Sequence, residues 1–385
     1  MNILVLAWNF PPALGGMEVV AARLVAGLQA LGHKCHVIAR FGPDLSEDAS
    51  VERPAKPGLL RYQLFSLSRG LRAMRQTTRP DLILCPGIVN APVAWVLSRC
   101  FKRPYVLLAH GSDVSYGGWA YRLCMRFLFK GAARIPANSN NTRDLLLAIG
   151  CEAQRISVIH PGVDSTAYGP RTPQKHRDIR GRLGWEDRPV VLTSGRLVRR
   201  KGVLECVTQV IPALKARYPD ILYVVVGDEP TASLVHRERL LVRVQEQAEA
   251  AGLASNVYLA GRASDDALRD MYYAADVFLL GAMQTPGDVE GFGIVFLEAA
   301  LAELPAVTTR SGGIPDAVAD GISGVLCDPE DWPALSDAVL ALLEDRECRD
   351  VLGKGARQRV LDAFSWTTIT SQYEACLLDL VGERA

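Results

Sequence analysis

The sequence predicts an α/β protein built from two consecutive, doubly wound parallel sheets, and three observations predict it. Short, nearly continuous apolar runs alternate with stretches of helical apolar spacing, the pattern of buried parallel strands joined by crossover helices. Each apolar run ends in a loop of small or polar residues, where ligands bind in open α/β sheets. The rhythm breaks once, in the Pro-, Gly- and charge-rich "STAYGPRTPQKHRDIRGRLGWEDR" (165–188), and then begins again. A linker is expected there. It would separate an N-terminal domain, 1–168, from a C-terminal domain, 169–365, with a last helix near 366–385 packing back on the first domain.

The elements follow in order. "NILVLAW" is the first strand. After the loop "NFPPALGGME" comes the amphipathic "VVAARLVAGLQALGH", with Gly32 marking its end. "KCHVIAR", "PDLILCPG", "PYVLLAHGSD", "ARIPANSN" and "RISVIHPGVD" complete the first series of strands. Beyond 188 the strands are "PVVLTSGRL", "ILYVVVGDEP", "NVYLAGRA", "ADVFLLGA", "LPAVTT" and "GVLCDP", with helices such as "LLVRVQEQAEAAGL" between them. Two Rossmann-like domains with a ligand cleft between them are expected.

Composition narrows the class. With 385 residues, 49% of them hydrophobic and 22% charged, the chain can bury two ordinary cores. No apolar run reaches the roughly 18 residues of a membrane span. The start reads as a strand rather than a signal peptide. Nine cysteines stand singly, without C-x-x-C or zinc spacing, which suits buried reduced thiols in a cytoplasmic protein. Net charge is +1, yet residues 1–165 hold 19 Lys+Arg against 10 Asp+Glu, and the remainder is correspondingly acidic. That asymmetry fits ordinary surface variation, or a first domain that meets an anionic partner or membrane surface.

The segments that carry chemistry lie at strand ends. "SGRLVRRKG" places Gly195, Arg196 and Lys201 after a strand, where cations suit a diphosphate; a solvated basic turn fits equally. "DVEGFGIVFLEAALAE" (288–303) puts Glu290 and Glu298 either side of apolar residues, with Gly291 and Gly293 ahead of a helix beginning near Ile294. Its first-turn N–H groups attract phosphate, while Glu298 suits paired ribose hydroxyls and Glu290 a sugar. Without a ligand the two acids are a dipole-favoured helix terminus and a partly exposed helix acid. "TTRSGGIPDAV" (308–318) shapes a sugar or phosphate pocket, or simply turns the chain. Gly15 and Gly16 permit close approach at the first helix but lack the G-x-G-x-x-G of a dinucleotide site. His110, in "LLAHGSD", is a structural histidine or an active-site one at a sheet edge, with Asp113 nearby. In 117–135, Arg122, Arg126 and Lys130 fall on one helical stripe among Trp119, Leu123 and Phe127. With "RYQLFSLSRGLRAMRQTTR" (61–79), this stripe is a surface helix or a face for anionic lipid headgroups. D-x-D, G-x-S-x-G and the Walker loop are absent, so neither a bound metal nor serine-hydrolase or P-loop chemistry is expected.

Together, "PPALGGME", "HGSD", "VIHPGVD", "GRLVRRKG", "VVVGDEP", "LAGR", "YYAADVFLL", "DVEGFGIVFLEA" and "SGGIPD" resemble the family 4 retaining glycosyltransferases over nearly the whole chain. The resemblance implies a GT-B fold and transfer of a hexose-type sugar from a UDP- or GDP-linked donor, with retention, no metal and no cofactor. It implies a diphosphate pair in Arg196 and Lys201, a ribose acid in Glu298 and a sugar-facing acid in Glu290. Gly291, Phe292, Gly293, Ile294 and Val295 would give donor contacts, as would Gly15, Gly16, Gly227 and Arg262, and His110 would stand near the sugar. Asp113, Arg122, Arg126 and Lys130 would lie on the acceptor side. The acceptor would be a glycan, a polyprenyl-linked glycan or a lipid, met in the cytoplasm or at the inner membrane face; no nucleic-acid partner is expected. Where G-D-G-P is usual, the chain has Gly227-Asp228-Glu229-Pro230, and Asp316 stands where Glu is frequent, leaving base and sugar preference open. Alternatives are a nucleotide-sugar epimerase, a glycan phosphorylase or a non-catalytic sugar-nucleotide binder.

Overall fold

In the first half of the chain, buried apolar runs become the strands β1 (Asn2–Ala7), β2 (Lys34–Ala39), β4 (Leu82–Cys85) and β5 (Tyr105–Leu107), with a two-residue, half-buried strand β3 (Val51–Glu52) beside β2. The computed structural model describes residues 1–13, 15–42, 51–115, 118–229, 239–285 and 287–382. Pro230, in the G-D-E-P turn, lies outside them. These strands form one parallel sheet in the order β3-β2-β1-β4-β5. A parallel pair, β6 (Ile135–Ala137) and β7 (Ile156–Val158), continues it through bridges from Val106 to Arg134 and from Ala109 to Ala137. The short strand β3 is not legible in the alternation of the sequence.

The helices of this half are α1 (Gly16–Ala30), α2 (Leu59–Met74), α3 (Ala91–Phe101), α4 (Ser112–Ser115), α5 (Trp119–Gly131) and α6 (Asn140–Ala148). Ser139 caps α6 by accepting the Thr142 N–H at 3.2 Å. One sheet face, through Leu4, Leu6, Ile38, Ile83, Cys85 and Leu107, shares a core with Ala73 and Met74 of α2, Ala94 and Leu97 of α3, and Leu128 and Phe129 of α5. The C-terminal helix (Trp366–Gly382) packs on α1, where Thr370 fills the space a side chain at Gly27 would need. The chain accordingly divides into one unit of residues 1–162 with 366–385, and a second of 163–365.

Unit 2 contains the linker expected at 165–188, which folds in part as α7 (Pro173–Leu183). Thr172 accepts the Lys175 N–H and Pro173 takes the first turn, while Gly184 ends the helix at φ +67°. The six strands of this unit are β8 (Val190–Ser194), β9 (Leu222–Val226), β10 (Val257–Gly261), β11 (Val277–Leu280), β12 (Ala306–Thr309) and β13 (Gly324–Cys327). They run parallel in the order β10-β9-β8-β11-β12-β13. Chain order reverses between β8 and β11, as it does between β1 and β4 in unit 1. Such a reversal opens a crevice at the carboxyl ends of the two strands.

Around this sheet stand α8 (Val203–Glu205), continued by a π-type segment into α9 (Ile211–Arg217), then α10 (Leu240–Ala250), α11 (Asp265–Ala274) and α12 (Ile294–Leu301). Next come α13 (Ile314–Ala317), α14 (Trp332–Glu344) and α15 (Arg346–Ala363), the last two capped by Asp331 and Asp345. All nine cysteines are free thiols, but Cys100, Cys124 and Cys348 are exposed rather than buried. Among the described residues no helix is long and apolar enough to cross a membrane.

Candidate functional site

In unit 2 the loops after β8, β9 and β10 are tied to one another by the backbone. The Gly195 N–H donates to Val226 O at 2.9 Å, Leu197 N–H to Asp228 O at 3.0 Å, and Gly227 N–H to Gly261 O at 2.8 Å. Gly227 has φ +133°, and a Cβ there would sit 2.0 Å from the Gly195 carbonyl oxygen, so only glycine fits. Across the switch point, the loop after β11 carries Glu290. Gly312, at φ +56°, lies so close that a Cβ would stand 2.4 Å from the Glu290 carbonyl oxygen, which accepts the Gly313 N–H at 2.8 Å.

These loops enclose a charged cluster. Lys201 Nζ and Arg200 Nε each lie 3.5 Å from Glu290 Oε2, and all three residues are buried. Arg200 also donates through Nη1 to both Asp288 oxygens, at 3.2 and 3.3 Å. Burial opposes ionisation of Glu290, but the charges of Lys201, Arg200 and Arg196 outweigh it and hold the carboxyl below its ordinary pKa. Burial, with the neighbouring cations, pulls Lys201 down despite Glu290. For Arg200 burial is outweighed by Glu290 and Asp288, and its pKa rises. Glu290 Oε2 makes no hydrogen bond and is shielded from solvent. A buried carboxylate oxygen with ion pairs and no hydrogen bond is poised to accept one.

Arg196 is exposed at the rim, as is Arg262 after β10. Gly293, at φ +92°, begins α12, and Gly291, Ile294 and Val295 lie at its mouth. The first-turn N–H groups of a helix have no intrahelical partner. Phe292 turns inward to Phe364, so only its backbone serves the loop. One turn along, half-buried Glu298 accepts from Tyr272 Oη at 2.9 Å, and Tyr272 in turn accepts from Ser194 Oγ at 2.6 Å. Burial raises the Glu298 pKa, with the Tyr272 hydrogen bond acting against it.

In unit 1, Gly15 and Gly16 open α1 beside buried Glu18, which accepts from Asn9 Nδ2 at 2.7 Å. His110 is buried just beyond β5, and its Nε2–H donates to Pro86 O at 2.7 Å. A neutral His110 then keeps its lone pair on Nδ1. Its backbone N–H donates to Asp113 Oδ1 at 2.9 Å. Burial pushes the Asp113 carboxyl up, opposed by His110 and backbone donors. Asp113 is turned back onto the His110 loop, whereas Arg122, Arg126 and Lys130 run along the exposed side of α5.

The structure thus gathers Arg196, Lys201, Glu290, Glu298, Gly227 and the 291–295 turn at one end of one sheet. Sequence reasoning missed Arg200, Asp288 and Tyr272. The Asp-x-Glu spacing carried a signal for Asp288, since alternate residues of an extended loop share a side. Arg200 lies in the basic stretch "SGRLVRRKG" beside Arg199, and Tyr272 in "YYAADVFLL", with no role assigned to either from the sequence.

Two family models match the chain: Glycosyltransferase Family 4 over residues 14–167 and Glycosyl transferases group 1 over 175–359. The GDP-mannose-dependent alpha-(1-6)-phosphatidylinositol monomannoside mannosyltransferase of Mycolicibacterium smegmatis is 32% identical over 380 residues, covering 94% of each chain. The chain belongs to the group 1, family 4 glycosyltransferases. The D-inositol 3-phosphate glycosyltransferase of Corynebacterium urealyticum is 30% identical to this glycosyltransferase over 305 residues, 76% of this chain and 70% of that one. Anabaena HepE, solved in complex with UDP, superposes with a TM-score of 0.81 at 22% identity, covering 98% of this chain and all of that one. The two Rossmann-like units of this transferase are therefore those of the GT-B fold.

Proposed function

We propose that this glycosyltransferase moves a hexose from a UDP- or GDP-linked donor to a glycan or lipid-linked acceptor, with retention and without a metal ion or other cofactor. The observation that carries the reading is the buried Arg200–Lys201–Glu290 cluster beside Arg196 at the sheet's switch point. A nucleoside diphosphate brings charge that Arg196, Lys201 and the α12 N–H groups can meet as it grows in the leaving group. Glu298, held by Tyr272, accepts the ribose hydroxyls. Glu290, kept ionised and one hydrogen bond short, faces the sugar. Gly227, Arg262 and the 291–295 backbone complete the donor site; Gly15, Gly16 and His110 are assigned to the same reaction by the family resemblance.

No carboxylate beyond Glu290 is assigned near the anomeric carbon, so front-face attack is the proposed route. The bond from anomeric carbon to diphosphate oxygen breaks with its electron pair, through an oxocarbenium-like state. The acceptor hydroxyl bonds to the same face, and its proton passes to the departing phosphate oxygen. Unit 1 takes the acceptor, with Arg122, Arg126 and Lys130 as its cationic flank, acting in the cytoplasm at the inner face of a membrane. GDP-mannose in the name of the Mycolicibacterium relative and UDP in the HepE structure support testing both donors.

Thermal melts with UDP-glucose, GDP-mannose and ADP-glucose test the donor, because a ligand at about 100 times its Kd stabilises by roughly 2.7 kcal/mol. One of the first two should raise the melting temperature; no shift with any nucleotide sugar would sink the assignment. NMR of the product then reads the anomeric configuration, and inversion would refute the front-face route. Turnover in excess EDTA should be unchanged.

A further inference from the structure

Three helices of unit 1, α2, α3 and α5, cover one face of its sheet and share one core, which α6 joins through Leu146 with its Arg143 and Asp144 paired to each other. Their outer faces therefore point away from the sheet together. None of the three contains an aspartate or glutamate, while together they hold Arg61, Arg69, Arg72, Arg99, Arg122, Arg126 and Lys130. Only Arg69 of these is met by a carboxylate, Glu52, in the described ion pairs. On the opposite face, α1 and the C-terminal helix carry Glu18, Glu374 and Asp379 against one basic residue in their sequences, Arg23. The positive charge of the first unit is sided rather than spread.

The same outer face exposes large apolar side chains. Leu60 is 72% exposed and Leu64 60% on α2; Trp119 is 81%, Leu123 60% and Phe127 53% exposed on α5. Leu64, Leu67 and Leu71 line an open groove of about 580 Å³ along α2, with Arg72 and Arg75 on its rim. Phe127 rests on Trp95 of α3, so the two apolar edges are joined through the middle helix. Exposed apolar side chains at this density mark an interaction surface. Arginine and lysine without acids, interleaved with leucine, tryptophan and phenylalanine, match one partner chemistry: acyl boundary below, anionic headgroups above. A protein partner would more commonly be answered by mixed charge.

We infer that the outer face of α2, α3 and α5 docks this enzyme onto an anionic phospholipid leaflet, with Trp119 and the α2 leucines entering the headgroup layer. It rests on the proposed lipid-linked acceptor and names the surface that reaches it. Binding combines insertion with charge, so salt weakens it and leaves a residual apolar part.

The test is co-sedimentation with vesicles of equimolar phosphatidylglycerol and phosphatidylcholine, against vesicles of phosphatidylcholine alone. The wild-type chain should partition about tenfold better to the anionic vesicles. A variant with Leu64→Gln, Arg72→Glu, Arg75→Glu and Trp119→Gln, all solvent-exposed positions, should lose about tenfold or more. An unchanged thermal melt and donor-induced shift would show that it folds. Equal binding to both vesicles, or wild-type partitioning by the variant, would overturn the inference. So would concentration-dependent dimerisation without lipid that Trp119→Gln abolishes, since the face would then belong to a second copy. Loss of vesicle binding with the donor shift intact strikes the docking face alone; a missing donor shift with binding intact strikes the transferase reading alone.

Discussion

The two ends of residues 288–303 place chemically identical side chains in opposite electrostatic settings. At the loop end, Glu290 sits among Lys201, Arg200 and Arg196, and their charges hold its pKa down. At the helical end, Glu298 meets a tyrosine hydroxyl and apolar walls, and burial pushes its pKa up. Neutralising charges let the loop end keep a buried anion, whereas the helical end keeps one at a cost and hydrogen-bonds it. The first arrangement suits a group that must stay ionised beside a polyphosphate. The second suits a carboxylate that a ligand's hydroxyls will complete.

The largest expected effect is at the loop end. Lys201→Ala removes a cation from a buried carboxylate, and turnover should fall by about 10²–10³-fold, as for loss of one donor to a developing anion. Breaking a buried pair also costs about 3–5 kcal/mol, read as a lower melting temperature. Wild-type turnover in this variant would erase the distinction between the two ends. Next comes Arg200→Ala, which removes one ion pair from each of Asp288 and Glu290; kcat should drop about tenfold or more, with Arg200→Lys restoring part of it. An effect confined to stability would reduce Arg200 to a structural brace.

The two acids themselves separate by the sign of their pH dependence. Because the folded pKa of Glu290 is depressed, its stabilisation is present above the ordinary carboxylate value and lost as pH falls through the lowered one. Glu298 behaves oppositely: its raised pKa favours the protonated form, so its contribution is present in acid and lost as pH rises. Melts at neutral pH should therefore show Glu290→Gln destabilised and Glu298→Gln stabilised, with nucleotide affinity reduced in the latter. Shifts of equal sign would break the comparison.

The smallest effect belongs to Tyr272→Phe. It removes one hydrogen bond to a carboxylate, about 1.5–3 kcal/mol at most. Titration calorimetry should show weaker nucleotide binding, with the acid limb of its pH profile moved to higher pH. Selectivity for the ribonucleotide over its 2′-deoxy form should also shrink. An unchanged preference would detach Glu298 from the ribose.

Much of the architecture was legible because strand burial is written locally. "PVVLTS", "ILYVVV" and "ADVFLL" must be buried on both faces, and the structure makes them β8, β9 and β11. The α7 segment was misread although its start and stop were present, Thr172-Pro173 and Gly184, because its Pro, Gly and charge resembled a linker. Arg199 and Arg200 were indistinguishable in sequence. In the short 3₁₀ turn Arg199–Lys201, successive side chains point roughly 120° apart, which leaves Arg199 exposed and sends Arg200 inward to Asp288.

By itself, the sequence determined the alternation of elements, the glycines that must meet backbone closely, and which strings bear charge. Those are properties of neighbours along the chain. Only the tertiary structure decided which cation meets which acid, that Ser194 and Tyr272 stand behind Glu298, and that the basic helices of unit 1 share one side of their sheet. Each of those depends on residues far apart in sequence, and burial, which pushes Glu298 up and is outweighed by cations at Glu290, exists only once the sheets are covered.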